Sequence, residues 1–480
     1  MAVPWRCNAV DLSPADAAFV ATLRANLSGD IIRPIEPRYL TELRGRWQGQ
    51  AGCLALPRTA QDVSTILRSA NAAGVAVVPY GGGTGLVCGQ VYPDGPDPIV
   101  LSLERMNAIR SVDATENVMT VEAGAILQNL HHAAEDVDRL FPLSIASSGT
   151  AQIGGNLSTN AGGVNVLRYG NARDLCLGLE VVLPDGRIWN GLSRLRKDNT
   201  GYDLKNLLIG SEGTLGVITA ASLKLFPRPQ NFGTAMFVVN EPKDALSLLS
   251  LAREKAGETV SAFELIHANG YRFLRDRMPQ VTLPFTSIPE WSVLVELGLP
   301  ESQDAQAMIG SIFEEAFETG LVSDGVLASS MAQRDALWTV RETIPDANRS
   351  VGSIASHDVS LPLRVLPDFI LDATAALAKM GDMRVNCFGH LGDGNLHFNV
   401  FPAQGRNRED YADLCAEISR VVHDMVHKLD GSVSAEHGVG RAKADDLPHY
   451  KDPTELEMMR AIKQALDPKG IMNPGVIFPA

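Results

Sequence analysis

His390 and His397 share one run, Phe-Gly-His-Leu-Gly-Asp-Gly-Asn-Leu-His-Phe-Asn from Phe388 to Asn399, and a second run, Ala435-Glu436-His437-Gly438, sets a carboxylate beside another imidazole. Borderline nitrogen and oxygen ligands of this kind suit zinc or a similar divalent ion. His390 and His397 are seven residues apart, so an unbroken strand would point them to opposite faces. Gly392-Asp393-Gly394 supplies the break: Asp-Gly is a strong tight-turn signal that folds two short strands into a hairpin, with both imidazoles on one side. Beyond the turn, His397 and Asn399 share a face, while Leu396, Phe398 and Val400 share the other and enter a core. The plain rival is a buried hairpin with incidental histidines; two of them beside an Asp-Gly turn, plus a distant Glu-His pair, favour a site.

Other histidines carry less. His423 and His427 sit four apart in a helical stretch, but the residue after His423 is Asp424 rather than the glutamate of the H-E-x-x-H signature. A solvated helix face is expected for them, and the same for His131-His132.

The chain of 480 residues is long enough for two or three domains, since single cores rarely grow past about 300 residues. With 42 basic against 56 acidic residues and a net charge of -14, sequence-independent binding to nucleic acid or to an anionic membrane is disfavoured. Small-molecule chemistry is the better expectation. Cys7, Cys53, Cys88, Cys176, Cys387 and Cys415 show no C-x-x-C spacing and read as reduced, mostly buried thiols. Neither a secretory apolar region nor a transit peptide is visible at the start, so a cytoplasmic protein is expected. The uncharged stretch 140–167 is too rich in Gly, Ser, Thr and Asn to be a transmembrane helix.

Ser13-Pro14 reads as an N-cap and first helical position. Thr59 with Asp62 starts a second helix, which Gly74 ends. A short buried strand, Val75 to Val78, then feeds Pro79-Tyr80-Gly81-Gly82-Gly83-Thr84-Gly85. Rossmann and P-loop sites need a helix directly after such a loop, but Pro93, Gly95, Pro96 and Pro98 forbid one, so the loop must bind an anion through its own N–H groups. A second small-residue stretch, from Ser147 to Gly163, carries no charge and would let main-chain groups approach a large planar ligand closely. A strand pair around Pro184-Asp185-Gly186 and the run Ser211-Glu212-Gly213-Thr214-Leu215-Gly216-Val217-Ile218 close a first domain near Pro227. From Phe232 onward, strands near 234–239, 262–266, 291–297 and 325–328 alternate with helical stretches such as 302–318, which predicts an antiparallel sheet covered by helices. A long helix over 406–429 and a last one over 454–466 complete the pattern.

These stretches, in this order and over nearly the whole chain, resemble the FAD-linked oxidases of the p-cresol methylhydroxylase and vanillyl-alcohol oxidase type, in the branch of the D-2-hydroxyacid dehydrogenases. The resemblance implies an α+β protein: a helical lead-in over 1–45, a two-subdomain FAD-binding domain over 46–228, and an antiparallel-sheet substrate domain with the metal hairpin over 229–430. A small helical part over 431–480 would complete the active site. Pro79, Gly81, Gly82, Gly83, Thr84, Gly85 and Leu86 resemble the family's pyrophosphate loop. Ser148, Gly149, Thr150, Gly154, Gly155, Asn156, Thr159, Asn160, Ala161 and Gly162 resemble its flavin-lining segment, and Glu212, Gly216, Val217 and Ile218 its adenosine side. Tyr169 and Asn473 complete the implied cofactor set. No residue is marked as a covalent tether, so non-covalent FAD is expected.

By the same resemblance, His390, His397 and Glu436 are the metal ligands, zinc first and manganese second, and His437 is the general base. A divalent ion can lower the pKa of bound water from about 15.7 to roughly 7, and an alcohol should respond similarly. The ion would hold the substrate hydroxyl and carboxylate, His437 would take the hydroxyl proton, and the α-hydrogen would leave as hydride to the flavin N5. Arg341 resembles the substrate-carboxylate arginine and Asn399 a substrate-facing amide. The chain departs from the 2-hydroxyglutarate pattern at Pro345, where those enzymes carry threonine, and at Ser356, where they carry lysine. Arg349 could compensate from a neighbouring turn, and D-lactate or another short or hydrophobic D-2-hydroxyacid is a rival substrate. An electron-transfer flavoprotein or a quinone is an expected acceptor, and a homodimer an expected assembly. A zinc hydrolase would explain the histidines but neither glycine-rich segment, and a non-catalytic flavin or metal carrier is the third reading.

Overall fold

The Thr59 hydroxyl accepts from the Asp62 N–H at 3.1 Å while the Asp62 carboxylate accepts from the Thr59 N–H at 3.0 Å, the reciprocal box expected from the sequence. It opens the helix Ala60–Ala73, and Gly74 ends it at a φ of 69°. This is a computed structural model describing residues 12–479; Cys7 and the other opening residues lie outside the described residues. The chain divides into two compact units.

The first unit takes the described residues within Met1–Ala161, Asn171–Pro227 and Glu436–Ala480. It holds a four-stranded sheet in the order Ile32–Arg33, Cys53–Ala55, Ile99–Ser102, Val77–Tyr80, whose last three strands are parallel. A five-stranded antiparallel sheet runs Ile109–Asp113, Val118–Glu122, Val217–Lys224, Cys176–Val182, Ile188–Gly191. No helix follows the strand Val77–Tyr80 through residue 98, as the prolines there require. The C-terminal tail returns to that strand: the Val77 N–H donates to the Ile471 carbonyl at 2.8 Å and the Asn473 N–H to the Val77 carbonyl at 2.9 Å.

One local expectation fails here. The first helix is Ala17–Ala25, capped by Asp16, whose carboxylate accepts from the Phe19 N–H at 2.8 Å. Ser13 lies instead in an extended bridge to Val75, with its N–H on the Gly74 carbonyl, and the Ala15 N–H is taken by the Asp97 carbonyl, so no helix starts there.

The second unit comprises Gly162–Gly170 and Arg228–Ala435 and is built on a seven-stranded antiparallel sheet. Its order is Asp324–Leu327, Asn231–Val239, Trp291–Leu299, Val260–His267, Met383–His390, Asn395–Pro402, Ala355–Ser360. Alternation divides each strand between two cores. Phe237, Leu265, Val295, Leu396, Phe398 and Val400 pack beneath the helices Pro242–Ala256, Ala305–Glu318, Leu366–Ala378 and Cys415–Lys428. Met236, Ile266, Leu294, Phe388 and Phe401 pack on the opposite face against Ala268–Arg277 and Met331–Val351.

The helix expected over 406–429 is broken: a 3-10 segment Arg408–Leu414 precedes the α-helix Cys415–Lys428. An Asn407–Asp410 capping box starts the tighter segment, which carries buried Tyr411 to donate its hydroxyl proton to the Asp382 carbonyl at 2.7 Å. No helix among the described residues is long and apolar enough to cross a membrane.

Candidate active site

The Asp-Gly turn forms as expected: Leu391–Asp393 makes one 3-10 turn and Gly394 follows at a φ of 89°. The strands on either side, Met383–His390 and Asn395–Pro402, pair in a register that sets Phe388 opposite His397 and Asn386 opposite Asn399. His390 lies two residues beyond Phe388, hence on the same face as His397, and their rings are 5.5 Å apart. Gly389 between them sits at a φ of 138°, where a Cβ would meet the His397 N at 3.2 Å.

Neighbouring strands complete a polar row on this face. Val260–His267 sets Glu264 opposite His390, and Ala355–Ser360 sets Asp358 opposite His397 and Ser356 opposite Asn399. The His390 Nδ1 lies 2.7 Å from Glu264 Oε1. A carboxylate there keeps the proton on Nδ1 and leaves the lone pair on Nε2. Glu264 Oε2 accepts from Arg341 Nε at 2.7 Å and pairs with Arg341 Nη2 at 2.7 Å, and the Arg341 guanidinium lies 5.0 Å over the Phe388 ring. Glu264, Arg341 and His390 are 1 %, 4 % and 6 % exposed, so Arg341 is no surface helix residue. Burial opposes ionisation of Glu264, but the His390 imidazole and the Arg341 guanidinium outweigh it and hold the carboxyl down at about 2. The Asp358 carboxylate lies 3.9 Å from His397 Nδ1 and accepts from the Asn395 amide at 2.9 Å.

Glu264 and Asp358 are functional candidates that histidine spacing misses. For Glu264 the available signal is one carboxylate inside the otherwise apolar run Ala262–Ile266, because an acid buried in a strand needs cationic partners.

The chain also runs along the open edge of Ala355–Ser360. Ser432 exchanges backbone bonds with Ser360 at 2.8 and 3.0 Å, and the Ala435 N–H donates to the Asp358 carbonyl at 3.2 Å. Glu436 is the next residue.

In the first unit, His437 Nε2 lies 3.6 Å from Glu436 Oε1, both side chains partly buried. The backbone just beyond them is gripped by Glu212, which accepts from the N–H groups of Val439 and Gly440, each at 2.7 Å. Burial pushes the Glu212 carboxyl up to about 7, although the two N–H bonds and the Lys443 charge pull the other way. Asn473 donates its side-chain amide to the carbonyls of Gly89 and Glu212 at 3.0 and 2.9 Å, tying the tail to this region. Arg441 donates to the Val91 carbonyl at 2.6 Å, and burial pulls its guanidinium down to about 10.

The two glycine-rich segments meet in this unit. A Cβ on Gly82 would lie 2.1 Å from the Thr150 carbonyl, and one on Gly81 3.5 Å from the Gly155 Cα, so backbone packs on backbone. Beside this contact the buried oxygens Gln152 Oε1 and Asn156 Oδ1 accept no hydrogen bond from the protein. Buried acceptors beside an exposed main chain suit a ligand rich in hydroxyl and N–H donors, as a flavin nucleotide is. Most residues expected to bind it fall in this unit, whereas Gly162 and Tyr169 belong to the second.

Other expected residues lie elsewhere. Arg349 is exposed and pairs with Asp346 at 3.3 Å. His423 corrects the solvated-face expectation: it is 6 % exposed, with its ring 5.3 Å from that of buried His357, because its helix packs that side on the sheet. His131 is partly buried and lies 2.7 Å from the Leu143 carbonyl. The five described cysteines are free, four of them buried.

Comparison with known proteins agrees with this architecture. The family model described as "FAD linked oxidases, C-terminal domain" matches residues 228–477, and the one described as "FAD binding domain" matches residues 51–191. The chain is 40% identical over 432 residues to a D-2-hydroxyglutarate dehydrogenase of Danio rerio that is named as mitochondrial, covering 90% of this chain and 79% of that one. It is 37% identical over 435 residues to the D-2-hydroxyglutarate dehydrogenase of Xanthomonas citri pv. viticola, covering 90% of each. Substrate-bound p-cresol methylhydroxylase shares the fold with a TM-score of 0.76 at 17% identity, over 96% of both chains. The chain therefore belongs to the FAD-linked oxidases of the p-cresol methylhydroxylase type, in the branch of the D-2-hydroxyacid dehydrogenases, and is an FAD-dependent oxidoreductase.

Proposed function

We propose that this chain oxidises a D-2-hydroxyacid to the 2-oxoacid, D-2-hydroxyglutarate first, at the face of the second unit's sheet that carries His390, His397 and Asn399. The observation that carries the reading is the buried Arg341–Glu264–His390 chain on the same face as His397. It sets a carboxylate-binding cation beside an oriented imidazole. The names of the relatives supply the substrate. Membership of a flavoprotein family sets the zinc-hydrolase reading aside.

When bound, FAD supplies the hydride acceptor and a divalent ion, zinc or manganese, the charge that acidifies the substrate hydroxyl. His390 and His397 would hold that ion together with Glu436. His437 takes the hydroxyl proton, Arg341 supplies positive charge for the substrate carboxylate, and Asn399 orients the substrate by hydrogen bonding. Reoxidation calls for an electron acceptor of the electron-transfer flavoprotein or quinone class. A reducing compartment such as the cytoplasm fits the free described cysteines, and fractionation tests it against the mitochondrial location in several relatives' names.

A second substrate has its own support. Pro345 lies inside the helix Met331–Val351, and the exposed Ser356 shares a hydroxyl–hydroxyl contact of 2.7 Å with Ser353, so neither offers a cation for a distal carboxylate. D-lactate or another short or hydrophobic D-2-hydroxyacid is therefore the rival substrate. The experiment is anaerobic addition of D- and L-hydroxyacids to the purified yellow protein, with metal added or chelated, followed by flavin absorbance. Bleaching by D-2-hydroxyacids that chelation suppresses is expected. A flavin that stays oxidised with every acid would leave only the carrier reading.

A further inference from the structure

We propose that Glu264 is a positioning residue that joins the substrate-binding arginine to the metal site, orienting His390 for ligation while occupying one edge of the Arg341 guanidinium. The inference rests on the proposed metal role of His390.

The geometry is specific. The two Glu264 oxygens divide their partners: Oε1 takes the His390 Nδ1 at 2.7 Å, and Oε2 takes Arg341 Nε and Nη2, both at 2.7 Å. The three residues come from two adjacent strands and from the helix that packs on them. Because all three are buried, each bond is poorly replaced by water.

Two consequences follow for the chemistry. A carboxylate on Nδ1 keeps the proton there and the lone pair on Nε2, which is the form a metal needs. Arg341, having given Nε and Nη2 to Glu264, keeps its Nη1 end as the donor for a substrate, so it grips a carboxylate by one end rather than by its side-on fork.

Glu264→Gln separates this role from that of a plain ion pair. An amide keeps the shape but offers one acceptor and one donor. If the NH2 group faces Nδ1, His390 must move its proton to Nε2 and lose its ligating lone pair; if it faces Arg341, donor opposes donor. The assay is Zn2+ binding to the FAD-loaded protein by equilibrium dialysis with elemental analysis, alongside flavin content and thermal midpoint. Expected for Glu264→Gln is a loss of roughly 10–100-fold in Zn2+ affinity with flavin retained, and flavin reduction partly restored by excess Zn2+. Should the single variant fail to fold, the double variant Glu264→Leu/Arg341→Met, which removes both charges and the acceptor on Nδ1, is measured instead, with the same loss expected. Zn2+ affinity within twofold of wild type, with only the thermal midpoint changed, overturns the inference and leaves Glu264 a fold staple. A wild-type protein that binds no divalent ion defeats the proposed metal site itself, a result distinct from the first.

Discussion

Glu212→Gln should change the pH dependence of stability in a direction the structure dictates. The Glu212 carboxyl is buried at 9 % exposure and is raised from 4.5 to about 7 in the folded protein. A carboxyl raised on folding stabilises the protein fully below its unfolded value, and that contribution is lost as pH rises through the folded value. The window is therefore about pH 4.5 to 7, and the loss across it is about 3 kcal/mol. Glutamine has no proton to release. It does replace one acceptor of the Val439 or Gly440 N–H by a donor, which costs about 1–3 kcal/mol at every pH and so cancels in the comparison. Urea denaturation of both proteins at fixed FAD, from about pH 4 to 8, gives the difference directly. Wild type should lose ground against Glu212→Gln by about 3 kcal/mol over that range. A difference that stays flat with pH would mean that the two N–H bonds outweigh burial and that the carboxyl is ionised throughout.

The remaining predictions concern the site itself. His437→Ala should keep FAD and its spectrum yet lose roughly 10²–10⁴-fold in the rate of anaerobic flavin reduction, and unimpaired reduction removes His437 from the base role. His390→Ala should lose bound metal and activity together, read by elemental analysis and by flavin bleaching. Gly82→Ala places a methyl 2.1 Å from the Thr150 carbonyl and should weaken FAD retention, with a stability cost of about 1–3 kcal/mol; normal flavin content would show that the two segments can separate. Ser356→Lys adds a cation on the strand position opposite Asn399 and should raise kcat/KM for a five-carbon dicarboxylate over D-lactate by roughly tenfold or more, since a charged hydrogen bond contributes about 1.5–3 kcal/mol. An unchanged ratio places the distal carboxylate elsewhere.

Local chemistry was legible wherever the deciding neighbours lie a few residues apart. Asp393-Gly394 dictates the turn, alternation from Leu396 to Val400 dictates which side is core, and Thr59 with Asp62 dictates a helix start. The prolines after Gly85 exclude a helix for the same reason: the constraint on φ and the missing N–H belong to the residue itself. Ser13 shows the limit, because it is drawn into an extended bridge with the distant Val75, and the cap passes to Asp16. Strand order was not legible. That His390 should lie beside Glu264 rather than any other acid follows from pairing Val260–His267 with Met383–His390, a choice made by the packing of two apolar faces across the whole sheet. Sequence alone determined which residue types could ligate, donate and turn. The tertiary structure decided which carboxylate orients which imidazole, how Arg341 is occupied and which backbone Glu212 holds, because such partnerships depend on distances between segments that no local preference encodes.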